Sequence, residues 1–149
     1  MINLKLNKTT IYILTSLGAI PFIFCALLII FGVNQAFFID DIRIALNIYG
    51  LVVLSFLAGA HWGMQLTINN NVSIYLAILS NIVAVSAWLS YLLFPIKFWL
   101  IVLAVGFLIL LFIDYCLLQL KLIDVSYLKL RFIVTFLVCS LLILVWIMQ

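Results

Sequence analysis

"RIALNIYGLVVLSFLAGAHWGMQL", Arg43 to Leu66, decides how this chain folds. At about 1.5 Å per residue it is long enough to cross a hydrocarbon core of about 30 Å as a helix, and it is apolar almost throughout. Two features exceed what a lipid anchor needs. One is His61, the single histidine of the chain, and the other is the stripe Ser55, Gly59, Gly63, which repeats a small residue every four positions. Small residues at that spacing let helix backbones approach closely in lipid, where packing must replace the hydrophobic effect. The span is therefore expected to be a packing element that also carries a polar group.

The rest of the chain is built alike. Of its 149 residues 70% are hydrophobic and 7% charged, against about a quarter charged in an average soluble domain, so the class is integral membrane. Four more apolar stretches, Ile11 to Val33, Ser73 to Phe94, Phe98 to Leu120 and Leu128 to Met148, are each long enough to span. Helices satisfy their own backbone polar groups in hydrocarbon, so the expected fold is all-α: one polytopic domain, residues 1–149, with five transmembrane helices. The breaks fall at Asn34 with Asp40 and Asp41, at Asn69 to Asn71, at Pro95 with Lys97, and over Lys121 to Ser126. They read as short turns between antiparallel neighbours. No internal repeat is visible.

Charge sets the expected direction. With the amino terminus inside, the cytoplasmic face receives Lys5, Lys8, Lys121, Lys129 and Arg131, and the opposite face Arg43 and Lys97. That asymmetry predicts N-in and C-out. The first span follows Lys5 and Lys8 as a secretory signal would, but its apolar run is too long and no small-residue cleavage site follows it, so it is expected to stay attached. The first ten residues lack arginine, which points to a bacterial inner membrane rather than a mitochondrial import signal. Scattered basic residues give no clustered face for nucleic acid. The partners expected are the lipid bilayer and either a second copy or a membrane complex.

Counting along each span from its middle places His61 about 9 Å toward the cytoplasmic side, Asp114 about 8 Å and Arg131 about 10 Å. Three ionisable groups from separate helices thus share one level. Charged groups in hydrocarbon face the bundle and pair, so Asp114 and Arg131 are expected to meet, unless the long arginine stem snorkels to the headgroups. His61 adds a side chain whose charge changes near neutrality in its ordinary state. Two roles remain open for it: a proton-linked or ligand-binding group, or a neutral hydrogen-bonding residue between helices. Asn81 is expected to be interhelical glue, and Gly18 with Pro21 to kink the first span. Cys25, Cys116 and Cys139 read as small buried hydrophobes.

No metalloprotease, nucleophile-elbow or phosphate-loop motif occurs. The chain has one histidine and no glutamate, so no metal site or cofactor is expected. Ser55 with His61 is the one nucleophile and base pairing available, and six residues apart they lie on different faces of their helix.

The segment Tyr49 to Leu66 resembles the Y-x5-SFLGG-x-x-WG core of the family called domain of unknown function 3429, the transmembrane protein 69-like proteins. Similar too are "GAIPF" (Gly18 to Phe22), Trp88, Asp114 and "LRFIVT" (Leu130 to Thr135). Ala58 stands where the family usually has glycine, Ser80 and Asn81 where it has a proline with a small residue, and Ser126 and Tyr127 where it often has Ala-Trp. The resemblance covers nearly the whole chain and implies a shared membrane fold; it implies no activity. The reading that follows is a small non-catalytic inner-membrane protein that assembles with itself or a larger complex. The alternative is a small transporter or proton-linked channel using His61, Asp114 and Arg131.

Overall fold

The computed structural model describes residues 8–33, 35–36, 39–68 and 72–148. Lys5, Asn34 and the Asn69 to Asn71 break lie outside the described residues. Six α-helices follow one another: α1 (Lys8–Leu17), α2 (Ile20–Ile30), α3 (Ile42–Met64), α4 (Val72–Leu93), α5 (Ile96–Gln119) and α6 (Val125–Ile147), with a short 3-10 turn (Gln65–Thr67) after α3. Five helical stretches are long and apolar enough to cross a membrane: α3 to α6, and Tyr12–Ile30, which joins α1 and α2.

The first span is interrupted by a turn at Gly18 and Ala19, where the Ala19 N–H bonds back to the Ser16 carbonyl at 3.1 Å in a tighter turn, and α2 follows with Pro21 in its first turn, where a missing N–H costs nothing. The Gly18 carbonyl at the break accepts a hydrogen bond from the Tyr49 hydroxyl at 2.9 Å. Elsewhere the ends follow local chemistry. Asp41 caps α3, accepting from the backbone N–H of Arg43 at 2.8 Å and of Ile44 at 3.4 Å. Pro95 sits immediately before α5, where it cannot extend α4. The fifth span starts at Val125, not Leu128, so Ser126 is helical rather than part of the turn.

From α2 onward sequential helices pack on one another, and the remaining contacts define the shape. α3 packs on α2, α4 and α5; α6 packs on α5, α2 and α1. The result is a four-helix core of α2, α3, α5 and α6, with α4 laid against α3 and α5. Phe22 locks α2 into it through edge-on ring contacts with Tyr49 (5.0 Å) and Phe107 (5.9 Å). α3 and α5 meet closely at two glycines. A Cβ on Gly50 would stand 2.6 Å from Leu103 Cδ1, and one on Gly106 would stand 2.8 Å from Leu54 Cδ2. Leu54 and Leu103 are fully buried, so neither can readily move aside.

This core differs from the sequence expectation in two respects. The stripe Ser55, Gly59, Gly63 lies on the outer side of α3: Ser55 and Gly59 are exposed and Gly63 half-buried. A Cβ at Gly59 or Gly63 would meet nothing within 4 Å. The close helix contacts inside the chain use Gly50 and Gly106 instead. Cys25 and Cys139 are buried, but Cys116 is exposed on the outside of α5 and does not belong to the core. An outward apolar position costs nothing when the surroundings are lipid.

Candidate functional site

His61 lies in the last turn of α3, Asp114 near the end of α5 and Arg131 near the start of α6. Antiparallel packing brings these three ends to one level. All three side chains are buried, with 3%, 1% and 4% of their surface exposed. Asp114 bridges the other two. Its Oδ1 is 2.8 Å from His61 Nε2, and its Oδ2 accepts a hydrogen bond from Arg131 Nε at 2.9 Å. Arg131 therefore turns inward rather than snorkelling, and one carboxylate ties α3, α5 and α6 together. Tyr127, one turn before Arg131 on α6, lies within electrostatic reach of both Asp114 and Arg131.

The histidine has a hydrogen-bond partner on each edge of its ring. His61 Nδ1 is 3.0 Å from the carbonyl oxygen of Leu57, one turn back on α3. Both ring nitrogens thus face oxygens, and a carbonyl can only accept. A protonated Nδ1 donates to Leu57. On the other edge a proton must lie between Nε2 and Oδ1, carried by the imidazole or by the carboxyl group. The other acidic residues, Asp40, Asp41 and Asp124, lie outside the helices. Arg131 Nη2 is buried with no hydrogen-bond partner. Such an atom forgoes interactions it had in water, at a cost of about 1–3 kcal/mol or more for a charged group.

Beside the cluster lies a cavity of about 420 Å³ whose wall includes Arg131, Leu57, Thr15, Thr135, Tyr49 and Val138. It exists because the first span is broken. α2 packs on both α3 and α6, whereas α1 leans on α6 without comparable packing on α3. A larger groove on the outer face of α5 and α6, lined by residues such as Leu108, Phe112 and Phe132, includes none of His61, Asp114 and Arg131.

The other residues singled out from sequence lie apart. Asn81 is exposed on α4 and donates to the Ala77 carbonyl of its own helix at 2.9 Å, so it does not join helices here. Trp88 is exposed on the same helix. Ser55 is exposed while His61 is buried, which separates that pair. Asn47 has the buried position that Asn81 lacks. It is fully buried on α3, donates to the Arg43 carbonyl at 2.9 Å, and its own carbonyl accepts from Tyr91 of α4. Its place in "LNIYG", two residues before Tyr49 and three before the packed Gly50, was the available signal. Among the described residues no three His, Cys, Asp or Glu side chains converge as a metal would require.

The match to known sequences covers nearly the whole chain. The chain belongs to the DUF3429 family. That family, described as a protein of unknown function, matches residues 7–147. No curated protein and no solved structure matches. The matched range takes in every residue of the DUF3429 cluster and cavity, and a family of unknown function transfers no role to any of them.

Proposed function

We propose that this protein is a non-catalytic membrane assembly protein, which associates with a second copy or another apolar helix through the outer face of α3. The carrying observation is the outward stripe of Ser55, Gly59 and Gly63, where a Cβ at either glycine would meet nothing within 4 Å and a partner backbone can approach closely. In this reading the chain lies in a bacterial inner membrane with its amino terminus in the cytoplasm, as the lysine and arginine asymmetry favours. The three-helix ion cluster then holds α3 rigid behind its interface.

Disulfide cross-linking from a cysteine at Gly59, in native membranes and with Cys25, Cys116 and Cys139 replaced, tests the interface. A cross-linked dimer or adduct is expected, and it should disappear when Gly63→Leu is added. Uncross-linked monomer under all oxidising conditions overturns the reading. Cysteine accessibility in the loops on either face tests the orientation separately.

A second reading, a small transporter or proton-linked channel, is favoured by the proton held between His61 and Asp114. It requires that proton to exchange with an aqueous face. Unchanged proton flux and growth in a folded His61→Gln variant would rule it out.

A further inference from the structure

The outer face of α5 and α6 carries a groove of about 650 Å³, and a second of about 400 Å³ lies along α6. The two are continuous, because Phe132 and Ile133 belong to both walls. Phe132 stacks on Phe136 one turn further, with ring centroids 6.5 Å apart, so the rings form one strip across the junction. On α6 the track runs from Lys129 to Leu141, which at about 1.5 Å per residue is about 18 Å. One leaflet of a hydrocarbon core of about 30 Å is about 15 Å deep. The track therefore matches the depth of one leaflet.

Its charge lies at one end. Lys129, in the second turn of α6, belongs to the wall and is exposed. Apart from Tyr115, every other residue lining the first groove is apolar. Among the described residues the Lys129 ammonium makes no ion pair, and Asp124, the acidic residue closest to it along the chain, is not in the wall. A second exposed lysine, Lys121, stands in the turn that joins α5 to α6, in the left-handed conformation (φ 58°) where glycine is the usual residue. A lysine near a helix end lays its stem on apolar surface and holds its ammonium among the headgroups. This end of α6 meets a membrane surface whichever way the chain is inserted.

From this geometry we infer that the α5 and α6 face binds one anionic glycerophospholipid, its phosphate at the Lys129 ammonium with Lys121 adding positive charge, and one acyl chain laid along the track past Phe132 toward Leu141. A partner helix fits this wall less well, since close helix approach in lipid uses small residues and the wall offers leucine, isoleucine and phenylalanine. The site goes beyond the assembly reading and does not depend on it, because neither wall contains a residue of α3.

Native mass spectrometry of the full chain in a non-ionic detergent tests the inference, with phosphatidylglycerol and phosphatidylcholine of identical chains offered separately at equal concentration. One phosphatidylglycerol per chain is expected, bound at least about fivefold more tightly than phosphatidylcholine, the effect of about one lysine at an anionic headgroup. Lys129→Gln should remove most of that preference. Lys97→Gln, at an exposed lysine in the first turn of α5, at the opposite end of that helix, should keep it, which separates a local site from the effect of net charge. Ile133→Trp fills the track at a position 65% exposed, where the fold does not rely on it. It should weaken phosphatidylglycerol binding at least about threefold while elution from size exclusion stays unchanged. The inference is overturned if the parent binds both lipids equally, if Lys129→Gln keeps the preference or Lys97→Gln loses it as fully, or if folded Ile133→Trp binds like the parent. A parent that takes up no lipid also overturns it, and a co-purifying protein chain protecting Ile133 would assign the groove to a partner helix instead.

Discussion

The two sides of α3 are made from nearly the same residues and do opposite things. Inward lie Gly50, Leu54, Ala58 and His61; outward lie Ser55, Gly59 and Gly63. Each of these sets mixes small residues with a polar one. Inside, Gly50 is pressed against Leu103, and Leu54 against Gly106, and His61 is held by Asp114. Outside, a Cβ added at either glycine would meet nothing within 4 Å. A small residue in a membrane helix is thus not one signal but two. It marks either a contact already made within the chain or space left for a contact with something else.

The largest effect expected on that contrast comes from the polar end of the inner side. Asp114→Asn removes the carboxylate that bridges Arg131 and His61, leaving the Arg131 guanidinium buried without its ionic partner. Destabilisation of about 3–5 kcal/mol is expected, measured by SDS titration in mixed micelles. Replacing His61, Asp114 and Arg131 together by Leu should recover most of that loss, because no unpaired charge then remains buried. If the triple variant is as damaged as Asp114→Asn, the cluster holds the helices by something other than its charge balance.

A smaller effect is expected at the apolar contact. Gly106→Ala puts a methyl group 2.8 Å from one Leu54 methyl and 3.1 Å from the other, in a place where Leu54 is fully enclosed. A loss of about 1–3 kcal/mol should follow. Leu54→Ala in the same chain should return part of it, since the added methyl would occupy space that the leucine vacates. Simple addition of the two losses would mean that Gly106 and Leu54 do not form the contact that closes α3 on α5.

What could be read from sequence follows the same division. The spans are legible because hydrocarbon admits few polar groups, and the shared depth of His61, Asp114 and Arg131 is legible because helical rise converts residue count into distance. Which side of a span faces inward is much harder to read. In water an apolar stripe would mark the buried side of a helix, but lipid tails are as apolar as a helix interior, so the stripe disappears. That is why the four-residue repeat at Ser55, Gly59 and Gly63 read as the packing seam, while Gly50 and Gly106, each without a small partner four residues away, did not. The same lack of contrast hides that Asn47 is buried and Asn81 exposed. Ionisable groups escape the ambiguity, because their burial cost forces them inward. The break at Gly18 and Pro21 was visible as a disturbance. The cavity it opens depends on where α1 leans, and that is a tertiary property.

The finest test uses one substitution at two places nine residues apart on one helix. Alanine stabilises a helix over glycine by about 0.5–1 kcal/mol, since it restricts the backbone less and adds no polar group. At Gly59 nothing stands within reach of the new methyl, so Gly59→Ala should raise the stability of the monomer by about 0.5 kcal/mol. At Gly50 the same gain is opposed by the 2.6 Å approach to Leu103 Cδ1, a side chain with no exposed surface into which to turn. The clash should win, for a net loss of about 1 kcal/mol. Measured on monomer in dilute micelles, opposite signs would show that the two sides of α3 differ in contact rather than in composition. A gain at both positions would mean that α3 and α5 are free to move apart by the few tenths of an ångström a methyl needs. A loss at both would place a partner against Gly59 even in dilute micelles, because within one chain that methyl has nothing to strike.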